Sequence, residues 1–521
     1  MKIATTLFRY FVLILIALAT VSSTPFSPQQ PNILFIMSDD HAQQAISSYG
    51  SQLITTPHID RLAKEGALFE NSFVTNSICA PSRAVLLTGK YSHLNGVRDN
   101  RDTFDGAQPT LPKLLQQAGY YTAIVGKWHL KTEPTGFDYW NVLIGQGQYY
   151  NPRMIEMGDT VKYEGYTTTV TTDLALKTLQ ARPKDKPFCL LYQHKAPHRN
   201  FMPEPSYFSA WEKDTLPLPA TFYDDYEGRP AAAEADMRVA DMYMGFDMKL
   251  MPEDYEGYPE GSGGNAEFDV GESWSNTLAG LNPEQRSAWS QHYDKVRQQF
   301  RAEQPKGRAL TEWKFQRYIK DYLRSVLSVD AQIGRVLAYL DEAGLSDNTI
   351  VVYTSDQGFY LGEHGWYDKR FMYEPSLRTP LLIRYPKAIQ AGRRISQMAL
   401  NLDLPPTLLD FAGAPIPEDM QGLSLKPLLE SGKARRWRKA IYYRYYEYPH
   451  GWHKVRPHYG IRTERYKLIH FENEPGYWEL YDLAEDPDEL NNLYGQPKYE
   501  KRVRQLNRQL QELRRQYRDG R

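Results

Sequence analysis

The chain has 521 residues, more than one hydrophobic core usually organises, so its length favours two domains. Its 62 basic and 63 acidic side chains leave a formal net charge of −1. This balance excludes the broad positive field that binds nucleic acids or anionic membrane surfaces, and any site for an anion must therefore be built locally.

Residues 1–23 have the pattern of a signal peptide. Lys2 and Arg9 supply a positively charged N-terminal region, and residues 10–19 form an apolar core. Residues 21–23 have the small side chains typical of a signal-peptidase cleavage site. A membrane anchor is the alternative interpretation, but the apolar run is too short to span a bilayer comfortably. We therefore expect a periplasmic or secreted protein with no membrane span after removal of the signal peptide.

Continuous apolar runs predict five buried strands, and segments with helical spacing lie between them. The strands are expected at residues 32–37, 122–126, 188–192, 349–354 and 380–385, and the helices at residues 57–67, 111–118, 169–179, 312–343 and 402–409. Strands that alternate with helices predict an α/β fold, a mostly parallel sheet flanked by helices on both faces.

The rest of the chain shows different patterns. Residues 203–308 are polar and rich in Pro and Gly, which indicates a long surface excursion with little regular structure. Residues 413–432 have the composition of a linker. The expected domains are therefore a large α/β domain at residues 31–412 and a smaller antiparallel sheet with a terminal helix at residues 433–521.

Polar side chains follow four of the predicted strands. They are Asp39 and Asp40, Lys127 and His129, His194 and His198, and Asp356 and Gln357. In open α/β sheets ligands bind beyond the carboxyl ends of the strands, so we expect these residues at one edge of the sheet. The carboxylate and amide oxygens of the first and last pairs suit a hard cation such as calcium. For either pair alone, capping of the following turn is the alternative.

The stretch Cys79-Ala80-Pro81-Ser82-Arg83, continuing to Thr88-Gly89-Lys90, predicts a short buried helix. Cys79 then lies at the helix start, where unpaired N–H groups favour an anion. A buried structural thiol is the alternative, and a disulfide with Cys189 is conceivable. The string Cys-x-Pro-Ser-Arg resembles the signature of the type I sulfatases, in which this cysteine is oxidised to formylglycine.

Further segments resemble the same family. They are Gly126-Lys127-Trp128-His129, Lys195-Ala196-Pro197-His198 and residues 362–369, which end in Lys369. The resemblance covers nearly the whole chain after the signal peptide and implies an alkaline-phosphatase-like fold. Residues 354–385 and 462–467 look most like bacterial enzymes that act on sulfated glycosaminoglycans, and the N-acetylglucosamine-6-sulfatases are the most similar of these.

The resemblance also implies a calcium site and a set of catalytic residues. The implied metal ligands are Asp39, Asp40, Cys79 as formylglycine, Asp356 and Gln357, the last at a position where Asn or His is also common. The implied catalytic residues are Cys79, Arg83, Lys127, His129, His198 and Lys369. Arg83, Lys127 and Lys369 supply positive charge for a sulfate ester, and the two histidines can titrate near neutral pH.

The implied mechanism begins with hydration of the aldehyde at position 79, and calcium, Arg83 and Lys127 hold the resulting diol. One diol oxygen attacks sulfur, while His198, helped by Lys369, protonates the leaving sugar oxygen. His129 then removes a proton from the second hydroxyl, sulfate leaves and the aldehyde returns.

The implied partners are a sulfated carbohydrate substrate and the formylglycine-generating enzyme of the host. Two alternatives remain at this point. One is a phosphoester or phosphonate hydrolase of the same fold, because calcium, Arg and Lys would also bind phosphate. The other is a catalytically inactive glycan-binding protein, since one fold supports many functions.

Overall fold

The computed structural model describes residues 30–262, 269–473 and 476–520. The predicted signal peptide, residues 1–23, lies outside these ranges, and its assignment stays a prediction. Within the described ranges no helix has both the length and the apolar character needed to cross a bilayer.

Eighteen strands are described. They are β1 (Asn32–Asp39), β2 (Ala67–Phe69), β3 (Ser72–Phe73), β4 (Tyr121–Lys127), β5 (Tyr139–Leu143), β6 (Arg153–Glu156), β7 (Asp159–Lys162), β8 (Phe188–Pro197), β9 (Thr349–Ser355), β10 (Tyr360–Leu361), β11 (Tyr367–Asp368), β12 (Leu381–Arg384), β13 (Arg393–Ile395), β14 (Ala399–Leu400), β15 (Ala440–Tyr445), β16 (His458–Thr463), β17 (Tyr466–Phe471) and β18 (Tyr477–Asp482).

Thirteen α-helices accompany the strands in the described residues. They are α1 (Pro57–Glu65), α2 (Cys79–Thr88), α3 (Ser92–Asn95), α4 (Leu111–Gln117), α5 (Thr167–Ala181), α6 (Pro230–Glu234), α7 (Val270–Ala279), α8 (Pro283–Glu303), α9 (Arg308–Glu342), α10 (Glu374–Leu377), α11 (Leu404–Ala412), α12 (Lys426–Ser431) and α13 (Glu500–Gln516).

A mixed sheet of ten strands forms the centre of the fold, in the order β13-β2-β12-β9-β1-β8-β4-β5-β6-β7. The five central strands, from β9 to β5, are parallel. Four of them, β9, β1, β8 and β4, were predicted from the sequence, and β5 was not. The fifth predicted strand, β12, differs, because it runs antiparallel to both β9 and β2. The α/β fold predicted from the sequence is confirmed, with antiparallel strands added on both sides of its parallel centre.

Helices cover both faces of this sheet because its central strands are apolar on both sides. In β1, Ile33 and Phe35 belong to one buried cluster and Leu34 and Ile36 to the other. The first cluster includes side chains of α2, α4, α11 and α12. The second includes side chains of α1, α5 and α9.

The small C-terminal antiparallel sheet is also confirmed, with the order β15-β16-β17-β18. Helix α13 packs on it through Leu506 and Leu510. The expected linker, residues 413–432, contains α12, and Leu428 and Leu429 of this helix are buried in the main core. This segment is therefore packed structure, which its high content of polar residues and Pro concealed.

The expectation of little regular structure between residues 203 and 308 is wrong for its second half, where α7 and α8 form. The buried residues of α8 are Trp289, His292, Tyr293 and Phe300, four side chains with helical spacing in a helix that is otherwise polar. Its apolar face is narrow and aromatic, and it packs against Trp274 of α7. A search for aliphatic runs overlooks a helix of this kind.

The first predicted helix, residues 57–67, ends two residues early at Glu65. Gly66 follows, and a Cβ at this position would lie 2.3 Å from the carbonyl oxygen of Ile383. This close approach lets Ala67–Phe69 pair as β2 with β12. Both cysteines, Cys79 and Cys189, are buried and free, so the conceivable disulfide between them is absent.

Candidate active site

The predicted site residues lie at the carboxyl ends of four neighbouring parallel strands, β9, β1, β8 and β4. Asp39 ends β1, Lys127 ends β4, Asp356 follows β9, and His198 follows β8. Gly126, just before Lys127, has a φ of 104°, and a Cβ there would lie 1.9 Å from the carbonyl oxygen of Gln193. Only glycine therefore lets β4 deliver Lys127 so close to β8.

Three acidic side chains form a compact cluster at this edge of the sheet. Carboxylate oxygens of Asp39, Asp40 and Asp356 all lie within 4.8 Å of one another, and all three side chains are buried. Burial raises the pKa of Asp40 to about 6, although Lys369 opposes this effect. Three carboxylates packed so closely away from water repel one another unless cations lie among them.

The donor set fits a calcium ion. The three carboxylates are hard oxygen ligands, and the amide of Gln357 faces Asp40 and Cys79. Gln357 Nε2 donates to Asp40 Oδ1, while its Oε1 is buried without a hydrogen-bond partner in the described residues. Rotation of the amide by 180° would turn this orphaned oxygen toward the carboxylates. The roles of these residues as metal ligands stay a prediction.

Each carboxylate of the cluster is paired with at least one cationic side chain. Lys127 contacts Asp39, and Lys369 Nζ donates to Asp40 Oδ2 at 2.6 Å. Arg83, one helical turn after Cys79 in α2, binds Asp356 Oδ2 through Nε at 3.1 Å and Nη2 at 2.9 Å. The negative charges of the cluster are thereby balanced by side chains of the protein.

Arg83 contacts several protein groups, and its predicted role in holding the reacting group stays a prediction. Besides Asp356, its guanidinium donates through Nη1 to the side chain of Gln193 at 2.8 Å and to the carbonyl oxygen of Lys127 at 3.0 Å. These contacts and the burial of its side chain fix Arg83 beside the acidic cluster. Gln193 is thus a site residue that the sequence analysis missed, although it directly follows the predicted strand at residues 188–192.

Cys79 is the first residue of α2 and is buried beside the acidic cluster. Its thiol donates to Asp39 Oδ1 across 3.5 Å and lies 3.6 Å from Gln357 Nε2. Burial raises the pKa of the Cys79 thiol to about 12. As a cysteine, this residue would hold its proton at neutral pH and would be a poor nucleophile.

The structure places the three predicted histidines differently. His198 Nε2 lies 3.8 Å from Asp40 Oδ2, and Nδ1 lies 2.6 Å from the carbonyl oxygen of Arg199, which orients the ring. His129 is half-buried, and its Nδ1 has no partner in the described ranges. Burial lowers the pKa of both residues, and nearby lysines add to the effect. A bound anion would therefore raise the pKa of both histidines and favour their protonated forms.

His194 does not share this setting. It is buried, its ring packs against Tyr192 with centroids 4.4 Å apart, and neither ring nitrogen has a hydrogen-bond partner in the described part of the chain. Burial lowers its pKa to about 3, so it is neutral. The ring of His194 is therefore packed against its own strand, whereas His198 lies near the acidic cluster.

Residues on both sides of Lys369 also belong to the site and were missed from the sequence. Asp368 accepts a hydrogen bond from His453 Nε2 at 2.7 Å, and Arg370 donates to Glu447 Oε1 at 3.3 Å. All of these side chains are buried. Their position beside a predicted catalytic lysine was a signal, but their partners come from the distant C-terminal part of the chain.

Several residues of the same region have a strained backbone. Asp40, His129, Asp368, Arg370 and His453 have φ values of 66°, 56°, 75°, 102° and 72°, in the left-handed region that favours glycine. Non-glycine residues persist in this region only when their surroundings hold them there, and such residues cluster at functional sites. The strain supports a precisely positioned site at this edge of the sheet.

The fold and the site together define an alkaline-phosphatase-like α/β enzyme with an acidic cluster suited to a metal ion. A sulfatase family model matches residues 31–414, and a model for the C-terminal region of N-sulphoglucosamine sulphohydrolase matches residues 362–516. The protein belongs to the sulfatase family and is a sulfuric ester hydrolase.

Individual relatives agree with this assignment. An N-acetylglucosamine-6-O-sulfatase of Bacteroides thetaiotaomicron is 49% identical over 499 residues, which cover 94% of this chain and 88% of the relative. A solved structure of a protein in complex with its substrate D-glucosamine-2-N,6-O-disulfate is 48% identical, with a TM-score of 0.89 and coverage of 94% and 99%.

A phosphonate monoester hydrolase of Agrobacterium radiobacter has the same fold at lower similarity. It is 22% identical, with a TM-score of 0.67 and coverage of 94% of this chain and 96% of that chain. This likeness concerns the fold alone.

Proposed function

We propose that the protein is an exported sulfatase that hydrolyses the 6-O-sulfate ester of glucosamine residues from sulfated glycosaminoglycans. The observation that carries the proposal is the 49% identity, along 94% of the chain, to an N-acetylglucosamine-6-O-sulfatase. The substrate in the similar solved complex, a glucosamine that carries a 6-O-sulfate, supports the same substrate class. The signal-peptide pattern of residues 1–23 supports export.

We also propose that Cys79 is converted to formylglycine by a maturing enzyme of the host. The hydrated aldehyde supplies the oxygen nucleophile, and a serine at this position could be sulfated but could not expel sulfate by the same route. The raised pKa of the unmodified thiol supports the proposal, because a protonated thiol would have little reactivity of its own.

A calcium ion, when bound, would supply positive charge that holds and polarises oxygen ligands. Asp39, Asp40, Asp356 and Gln357 would hold it, and residue 79 lies beside them. With that positive charge present, the carboxylates would not need Lys127 and Lys369 as counter-ions. Both ammonium groups would then be available to the peripheral oxygens of the sulfate group.

The proton transfers are assigned to the two histidines near the cluster. His198 would donate from Nε2 to the leaving sugar oxygen, since its Nδ1 is already engaged with the backbone. The negative charge of a bound sulfate group favours the protonated ring that this role requires. His129, with its unpartnered Nδ1, would take the proton that leaves the second hydroxyl of the hydrated aldehyde.

A comparison of defined substrates tests the proposed function. We expect release of inorganic sulfate from N-acetylglucosamine-6-sulfate and from N,6-O-disulfated glucosamine, with the N-sulfate retained. Galactosamine-4-sulfate and 4-nitrophenyl phosphate should be turned over far more slowly. Faster hydrolysis of the phosphate than of every sulfate ester would favour a phosphoester hydrolase, and binding without any turnover would favour a glycan-binding protein.

Removal of the metal provides a second test. Treatment with a calcium chelator should lower both activity and the melting temperature, because the carboxylate cluster loses its strongest cation. Calcium at about 100 times its Kd should restore about 2.7 kcal/mol of stability. In Asp356→Asn this calcium-dependent shift should be strongly reduced, whereas Asp347→Asn, at an exposed position, should behave as the wild type.

An unchanged melting temperature and full activity of the wild type after chelation would contradict the metal assignment. Both measurements are needed, because loss of activity alone could reflect inhibition by the chelator.

A further inference from the structure

Lys195 is a buried cation at the site to which neither the predicted catalytic set nor the predicted metal ligands assign a role. It lies near the end of β8, two residues after Gln193 and three before His198. The register of β8 against β1 shifts between Gln193 and Pro197, so Lys195 lies in an irregular part of the strand. The residue is 5% exposed.

The ammonium group of Lys195 has neither a hydrogen-bond nor an ion-pair partner among the residues that the structure describes. Lys127, Lys369 and Arg83 differ, because each contacts a carboxylate of the acidic cluster. Lys195 Nζ instead lies over the ring of Tyr149, 4.8 Å from its centroid. Contact with an aromatic ring offsets only part of the hydration free energy that a cation loses on burial. The Lys195 ammonium can therefore still bind an anion.

The surroundings of Lys195 place its charge beside the reacting groups. Its positive charge contributes to lowering the pKa of Lys127, His129 and His198. Burial lowers the pKa of Lys195 itself to about 8, opposed by the charge of Asp40, so the group is still protonated at neutral pH. It therefore adds a positive charge near His198 and Lys127.

Tyr149 fixes this arrangement. Its ring supports Lys195, and its hydroxyl donates to the carbonyl oxygen of His198 at 2.5 Å. The same side chain thus orients both the free cation and the segment that carries His198. A cation held in place but left without a counter-ion matches what a compact anion requires.

We propose that Lys195 is a substrate-binding residue whose ammonium group donates a hydrogen bond to a peripheral oxygen of the sulfate group under attack. This inference rests on the proposed function, since it needs a sulfate ester in the cavity. Lys127 and Lys369 must separate from a carboxylate before they can bind the sulfate group, whereas Lys195 contacts no carboxylate in the described residues.

The test compares Lys195→Ala, Lys195→Arg and the exposed control Lys186→Ala, all isolated with calcium and with residue 79 converted. The substrates are N-acetylglucosamine-6-sulfate and 4-nitrophenyl sulfate, which carry one anionic group each, and inorganic sulfate is the competitive inhibitor. Lys195→Ala should raise the inhibition constant of sulfate and lower kcat/KM for both substrates, each by about 10- to 100-fold. Lys195→Arg should recover part of both losses, and Lys186→Ala should match the wild type.

Inhibition by sulfate gives a readout that a merely structural role would not move. An unchanged inhibition constant in Lys195→Ala would overturn the proposal. So would an unchanged kcat/KM for both substrates, because Lys195 would then not contact the sulfate group under attack. Wild-type protein that hydrolyses no sulfate ester would refute the proposed function instead, so the two failures are distinguishable.

Discussion

Cys79→Ala is expected to abolish hydrolysis of every sulfate ester, with a loss on the order of 10⁶-fold, the size of effect seen when a hydrolase loses its nucleophile. Alanine cannot be converted to an aldehyde, so no oxygen nucleophile forms at the start of α2. The fold should persist, because the thiol makes only two long contacts, with Asp39 and Gln357. Release of inorganic sulfate and thermal unfolding measure the two effects separately.

Cys189→Ala is the matched control, since Cys189 is the other cysteine of the chain. It is buried in β8, among the apolar side chains of the core, and its loss should cost some stability while leaving activity intact. Peptide mass spectrometry of the active wild type should find an aldehyde at position 79 and a thiol at position 189. Full activity of protein whose Cys79 is entirely unmodified would refute the assignment.

The parallel centre of the fold and much of the site could be predicted from sequence for one physical reason. A strand covered on both faces must be apolar along its length, so the first polar residues after it mark its carboxyl end. Asp39, Lys127 and Asp356 each follow this rule, and parallel strands bring their ends to one edge. The rule needs no knowledge of which strands are neighbours.

The contacts within the site could not be predicted in the same way. Arg83 binds Asp356, which is 273 residues away in sequence, and Arg370 binds Glu447 of the C-terminal part. Such pairs depend on the packing of separate elements, which local periodicity does not encode. The setting of Lys195, whose ammonium has no ion-pair partner within the described ranges, was hidden for the same reason, since it depends on neighbours that are distant in sequence.

His198→Ala is expected to slow hydrolysis of sugar sulfates by about 10²- to 10⁴-fold, the usual contribution of a positioned general acid. The leaving alkoxide of a sugar is strongly basic and needs a proton as the S–O bond breaks. A phenolic leaving group is much less basic, so 4-nitrophenyl sulfate should lose far less activity in the same variant. Rates for a series of leaving groups should therefore depend more steeply on leaving-group pKa in His198→Ala than in the wild type.

His194→Ala is the control variant for this experiment, because His194 lies only four residues before His198 in the same segment. Its ring is buried against Tyr192 and neutral, so its removal leaves a cavity and should cost about 2 kcal/mol or more of stability. His194→Leu, which refills part of that space, should recover stability. Neither His194 variant should change the dependence on the leaving group. If the rate of a His194 variant depended more steeply on the leaving-group pKa and that of His198→Ala did not, the general acid would be His194. The contact of His198 with the carbonyl oxygen of Arg199 would then serve only to position the substrate.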